Sequence, residues 1–428
     1  MTSPAPESAG PAVAARTGAV RGAVRGAEPA ARHAIHLHIG TLKSGTTFIQ
    51  RVLSHHRDLL GTHGVLFPGG PTPSQHAPDL AARHLAETGE PSAGDYGRQV
   101  AAVRDAIDLR GPLSVAEVEG AWSELCGDVA AWPGSSAIVS VEQLSLGRRA
   151  QIRTIVDSLA PADVHVVLTA RDLARVVPSS WQETVQNGLT WTWHEYVDSV
   201  RRPPDARDAA ATRFWRQHDV LSIVDRWTDV VGPHRLQVVT VPRDDAPPGQ
   251  LWRRFCVAVG LDATQYSLEG FGQPANTSLD RDAAEFLRLL NVRLEMPTGD
   301  KLPMAQYVQH VKRPLAKRAL ARLPSRHPIA LSAADLAWAT EQGELVAAGL
   351  AQRKVAVIGH LRELVPVEPA RTQPDHPAGA ERVAELAVRA AAALSRELAK
   401  SPAGDRAARR RARTGVERRA DRPPRDPA

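Results

Sequence analysis

Apolar residues alternate along the stretch AIHLHIG, which puts Ile35, Leu37 and Ile39 on one face and His36 and His38 on the other and predicts a β-strand. The β-branched runs AIVSV (137–141), VHVVLTA (164–170) and LQVVTV (236–241) predict further short strands suited to burial on both faces. Between them the apolar spacing turns helical, as in TTFIQRVLSHH, where Phe48, Ile49, Val52 and Leu53 form one stripe. Strands followed by helices through the first three hundred or so residues predict an α/β fold, a parallel sheet flanked by crossover helices. From NTSLDRDAAEFLRLLN (276–291) onward the pattern becomes mostly helical, and a last short apolar piece, VAVIGHLRELVP, ends at Pro366. The expected organisation is a disordered tail over 1–31, a core over 32–295, a helical elaboration packed on that core over 296–366, and a linker, an Ala-rich helix and a basic disordered tail over 367–428. No repeat of 20–50 residues is visible.

Composition adds a sizeable core, with 43% hydrophobic residues in 428, and no run approaching the roughly 18 apolar residues of a spanning helix. The N-terminal stretch has no apolar h-region, so a cytoplasmic location is expected. Cys126 and Cys256 stand far apart without His or Cys neighbours at metal spacing, as two reduced structural thiols would. The net charge of +6 is concentrated at the ends: nine Arg against four acids over 401–428, and four Arg against two acids over 1–32, which leaves −1 for 33–400. With the charge in the tails and no recognition fold beside it, nucleic-acid binding is not expected.

The chemistry begins at HIGTLKSGTTFIQ (38–50), where the first strand pattern runs into a helix pattern. Gly40 and Gly45 have the spacing of a nucleotide-binding loop, but Thr46 stands where the usual lysine would be, and the lysine has moved forward to Lys43. Backbone N–H groups of 44–47 at a helix start attract an anion through unsatisfied donors and the helix dipole. Gly45 lets the backbone approach, Lys43 adds charge, and Ser44, Thr46 and Thr47 carry hydroxyls. A second constellation, VHVVLTARDLARVVPSSWQE, puts Arg171 just past the carboxyl end of a buried strand, the edge where open α/β sheets bind ligands, with Ser179 and Ser180 in the next helical stretch. An arginine fork and a serine hydroxyl match a second phosphate; a surface ion pair is the other account of Arg171.

Together these motifs resemble the sulfotransferases that use 3′-phosphoadenosine 5′-phosphosulfate (PAPS). KSGTT at 43–47 matches that family's phosphosulfate loop, and Arg171 with Ser179 matches its 3′-phosphate pair in spacing. The layout from His36 to about Pro366 looks like the bacterial, actinobacterial-type group. The resemblance implies a P-loop-type parallel sheet and sulfuryl transfer from PAPS as co-substrate, with no metal. Lys43 would contact the bridging region, Ser44 and the loop amides would restrain premature hydrolysis, and Thr46 and Thr47 would grip the 5′-phosphate. Phe48 would stack on adenine, unless it belongs to the core stripe of its helix. Asn276 and Ser278 fall where the family closes its cofactor site, although the Arg-Lys-Gly loop of the cytosolic enzymes is missing here.

Transfer needs a base for the acceptor's proton. Glu142, at the end of AIVSVEQLS, has strand-end character and leads; a helix-start or salt-bridged glutamate is its bland account. His76, in TPSQHAPDLAARH, is the rival, whereas His36 and His38 read as satisfied sheet-face histidines. Trp181, Trp191 and Trp193 lie close in sequence, either lining an acceptor pocket or, for at least two of them, in the core. The acceptor expected is a small molecule, lipid or carbohydrate with a hydroxyl or amine; which one, and the oligomeric state, the sequence leaves open. Two other functions keep the loop: a P-loop kinase using ATP and magnesium, against which Thr46 argues, and a non-catalytic nucleotide-binding module.

Overall fold

In the computed structural model the described residues are 33–69, 94–109, 118–202, 207–271, 279–297, 302–320, 328–367 and 379–399. The expectations placed on His76, Asn276, Ser278, the tail at 1–31 and the basic tail at 401–428 lie outside them.

The strand patterns become a six-stranded parallel sheet, β1 Ala34–His38, β2 Val65–Leu66, β3 Ser136–Ser140, β4 Asp163–Ala170, β5 Leu236–Thr240 and β6 Ala356–Ile358, in the order β2-β3-β1-β4-β5-β6. The sheet grows from β1 to one side through β2 and β3, then to the other through β4, β5 and β6. The carboxyl end of β1 therefore lies where the strand order reverses, the place at which open sheets of this kind form a ligand crevice. Register puts His38 beside Ser140 of β3 and Val167 of β4.

Both faces are covered, which is why the strands are apolar on both sides. Ile35, Leu37 and Ile39 pack with Val139, Val166, Ile155 and Val224 on one face. On the other, Ile138, Val167 and Val239 pack against Ile49, Val52 and Leu53 of the Thr46–His55 helix and Phe255 of the Gln250–Val259 helix. A second, all-helical core lies outside the sheet: Val177, Trp181 and Val185 of the Leu173–Gln186 helix meet Leu287, Tyr307 and Leu315. Trp181 and Trp193 are both buried there with ring centroids 5.5 Å apart, and Trp191 packs against the same core half-buried.

The C-terminal segment differs from the expectation in one respect. It is largely helical, through Met304–Tyr307, the wide-turn helix Val308–Leu320 and Ala333–Arg353, but Ala356–Ile358 then joins the sheet parallel to β5. Its three residues are partly exposed, so neither alternation nor a long apolar run marks them. What fixes this edge is polar: Arg254 donates to both carboxylate oxygens of Glu363 at 2.7 and 2.9 Å, and Thr240 donates to the same carboxylate at 2.6 Å. The Ala-rich helix Ala380–Ala399 buries Leu386 and Ala390 in the outer core. Both cysteines are free thiols, and burial pushes Cys256 up to about 12. Among the described residues no helix is long and apolar enough to cross a membrane.

Candidate active site

The loop leaves β1 along β4: the amides of Ile39 and Thr41 donate to the carbonyls of Val167 and Thr169 at 2.9 and 2.8 Å. It then turns through two left-handed residues, Lys43 at φ 66° and Gly45 at φ 84°, before the Thr46–His55 helix begins. Left-handed backbone at a lysine costs about 1–2 kcal/mol, the kind of strain that persists at ligand-binding turns. Two glycines are required, Gly40 on steric grounds and Gly45 by its left-handed backbone. A Cβ on Gly40 would sit 2.5 Å from both Thr169 Oγ1 and Thr46 Cγ2, and one on Gly45 would sit 2.5 Å from Leu251 Cδ2. No side chain caps the helix start, so its first amides keep their donors for another partner.

Beneath the loop runs a buried chain of hydrogen bonds across three strands. Ser140 Oγ lies 2.7 Å from His38 Nδ1, His38 Nε2 lies 3.2 Å from Thr169 Oγ1, and Thr169 Oγ1 lies 2.6 Å from Ser44 Oγ, which donates to the Thr41 carbonyl. Burial pulls the His38 imidazole down to about 3, so the ring is neutral, with one nitrogen donating and the other accepting. His38 is thus satisfied within the sheet. The Ser44 hydroxyl serves the loop's own shape, and Thr46 is buried beside Gly40, while Thr47 is exposed at the helix start. Phe48 is half-buried on the opposite face of the sheet from β1's Ile35 and Leu37, packed in the group that holds Leu251 and Phe271.

Arg171, 128 residues from the loop in sequence, comes to its side: Nη1 lies 3.5 Å from the Lys43 carbonyl. Its Nε is buried with no hydrogen-bond partner. Burial, and then the neighbouring Arg175, pull its pKa down to about 10 against the pull of Asp172 and Asp244. Arg175 itself is paired with Asp172 and Asp244, and Asp172 caps the Leu173–Gln186 helix by accepting from the Arg175 amide, which anchors the start of the helix beside the loop. Ser179 sits half-buried two turns on.

One helical turn beyond Ser179 lies a residue that motif reading missed. Glu183 Oε2 is 2.8 Å from Lys43 Nζ. Burial pushes the Glu183 carboxyl up, yet Lys43, with added pull from Lys312 and Lys317, reverses this and holds it at about 2. Glu183 stands four residues from Ser179 on one helix face, but nothing in its own stretch of sequence points to Lys43. The far end of that helix is held by Asn291, which donates to the Val185 carbonyl at 2.7 Å and accepts from Tyr307 Oη at 2.7 Å.

Glu142 opens the short 3-10 turn Glu142–Leu146 after β3, on the other side of β1. Gln50, buried in the loop's helix, donates to its Oε2 at 3.0 Å and to the Ser140 carbonyl at 3.1 Å. Gln50 is a second residue sequence reasoning passed over. The structure brings Lys43, the helix start and Arg171 together at the carboxyl end of β1, with Glu183 closing one side and Glu142 at the neighbouring strand end. Two glycines that disfavour any side chain, an uncapped helix start and a half-buried arginine whose buried Nε is an unused donor fit an oxyanion-bearing ligand such as a phosphate.

No family model matches the sequence, and no curated protein does. Among solved structures, a crystal structure of a sulfotransferase from Alicyclobacillus acidocaldarius is similar over 53% of this chain and 81% of its own, at 16% identity and a TM-score of 0.32.

Proposed function

We propose that the protein transfers a sulfuryl group from PAPS to a hydroxyl or amine acceptor. The observation that carries this reading is the meeting of two motifs distant in sequence: Arg171 reaches the carbonyl of Lys43, so the glycine-bounded loop and the strand-end arginine face one site. Cationic groups from the ends of two neighbouring strands, β1 and β4, suit a ligand with two phosphate-type groups.

In this reading the uncapped amides, Gly45, Thr46 and Thr47 hold the 5′-phosphosulfate, with Ser44 shaping the turn from below. Arg171, through its half-buried guanidinium, and Ser179 hold the 3′-phosphate, and Phe48 offers its ring to the adenine. Lys43 places its ammonium where the leaving phosphate gains charge; positive charge fixed in advance at such a point lowers the barrier without reorganisation. Glu183 competes for that ammonium until an anion draws it away. The acceptor's proton needs a base, and Glu142, oriented by Gln50, is the one that the strand-end pattern proposes, with His76 as its rival. No metal enters this scheme.

Incubation with ³⁵S-labelled PAPS and a mixture of alcohols, sugars and amines tests it. Label should move to at least one acceptor, and Lys43→Ala should slow that transfer about 100- to 1,000-fold, as loss of one charge-stabilising donor does. Label that stays in PAPS with every acceptor class would count against the proposal.

A further inference from the structure

A cavity of about 360 Å³ lies between the sheet core and the outer helical core, and it reaches the loop. Leu173, Val176 and Val220 form its walls together with the rings of Trp215 and Trp338, and Thr41, Arg171 and His218 supply a polar end. Two of those three already belong to the site: Thr41 carries the carbonyl that anchors Ser44, and Arg171 touches Lys43. His218 is 4% exposed, with neither ring nitrogen hydrogen-bonded. An imidazole packed against Phe214 at 4.6 Å and left without any partner is costly, and it has the form of a group waiting for a ligand's hydroxyl or amine.

We infer that this cavity is the acceptor site, that it takes an apolar or aromatic alcohol or amine rather than a sugar, and that His218 receives the acceptor's proton. The inference rests on the sulfuryl-transfer reading, adds to it the acceptor class, and puts His218 in the place of Glu142 as the base. The charged residues at the rim are already committed, Arg201 to Asp335 and Arg202 to Asp208 at 2.8 Å each, and Asp219 to the Ser222 amide. Gln342 adds a single amide to the lining, too few partners for a sugar, which would leave most of its hydroxyls unpaired between apolar walls, whereas a molecule with one polar group meets one polar end. The cavity also lies on the face of the sheet away from the loop's helix and Phe48, and Arg171 is the one lining residue it shares with those assigned to the nucleotide.

The step balances within these groups. A lone pair of the acceptor oxygen or nitrogen attacks sulfur while its proton moves to a ring nitrogen of His218. The bond from sulfur to the bridging oxygen breaks, and its electron pair leaves with the 5′-phosphate beside Lys43. The proton then passes from His218 to solvent. Burial keeps the ring neutral but, by drawing its pKa to about 3, makes it a weak base in the unliganded protein; the Glu183 charge raises it and Lys43 lowers it. When a bound anion draws Lys43 off, the carboxylate of Glu183 is left to stabilise the imidazolium. Glu142 does not border the cavity.

Calorimetry on the full chain with 1-naphthalenemethanol, alone and with saturating 3′-phosphoadenosine 5′-phosphate, tests the assignment. The alcohol should bind in both conditions, and Val176→Phe, which fills the cavity, should weaken it at least tenfold while bisphosphate affinity stays within twofold. Leu345→Glu at the rim, where Leu345 is 56% exposed, gives a second variant that leaves the core intact and should weaken the alcohol likewise. His218→Asn should cut sulfuryl transfer to the alcohol about 100-fold, the usual worth of a positioned base, with bisphosphate affinity unchanged. Competition between alcohol and bisphosphate, no alcohol binding, or an Asn variant within fivefold of wild type would each overturn the inference alone. Failure of the wild type to bind bisphosphate would overturn the transfer reading, and the inference with it.

Discussion

Lys43 Nζ lies 2.8 Å from Glu183 Oε2, a contact that ties the loop after β1 to the third turn of the Leu173–Gln186 helix. The two side chains are 28% and 35% exposed, so solvent screens the pair and its net worth as an ion pair is small. Its consequence is for ligands: an anion entering the loop must share Lys43 with a fixed carboxylate.

Replacing Glu183 by Gln should therefore tighten binding of 3′-phosphoadenosine 5′-phosphate by up to about fivefold, the scale of a screened ion pair. Isothermal titration of the variant beside wild type measures it. Weaker binding in Glu183→Gln would mean that the carboxylate orients Lys43 for the ligand instead of competing with it.

Acid should destabilise the protein in two stages. His38 is held at about 3 against its ordinary 6.5, so the unfolded chain takes up a proton that the folded one refuses, and stability is full above about 6.5 and declines as pH falls toward 3. Glu183, held at about 2 against 4.5, adds stability that is present above 4.5 and is lost as pH falls from 4.5 toward 2. Urea midpoints should fall between pH 7 and pH 5, and Glu183→Gln should flatten the further fall below 4.5. A midpoint constant from pH 7 to pH 5 would contradict the neutral, buried state of His38.

Gly40→Ala and Gly45→Ala should both damage the loop, for different reasons. The first puts a methyl 2.5 Å from Thr169 Oγ1 and breaks into the His38–Thr169–Ser44 chain; the second forces alanine to φ 84° against Leu251. Each should cost about 1–3 kcal/mol of stability by denaturant unfolding, and each should abolish bisphosphate binding. A variant that keeps full affinity would show that the loop does not hold the ligand.

The strands and the loop were legible because their signals are local. The β-branched runs of β3, β4 and β5 and the Ile35, Leu37, Ile39 alternation each fit inside a few residues, and so does the helix stripe of Ile49, Val52 and Leu53. Strand β6 was not legible, since three half-exposed residues are held in place by Arg254 and Glu363 rather than by their own pattern. Glu183 and His218 were hidden for a related reason. Nothing near Glu183 in sequence names Lys43, 140 residues earlier, and a histidine at the end of a helix gives no sign that its ring will be buried without a partner. Such residues acquire meaning only when the fold brings distant segments to the carboxyl end of β1.

The most direct test is a calorimetric titration of the full chain with 3′-phosphoadenosine 5′-phosphate beside ATP with magnesium, on wild type and Arg171→Ala. Selective binding of the bisphosphate is expected, weakened about 10- to 100-fold in the variant, as loss of a charged hydrogen-bond donor of about 1.5–3 kcal/mol implies. Preference for ATP with magnesium, or a bisphosphate affinity indifferent to Arg171, would contradict it.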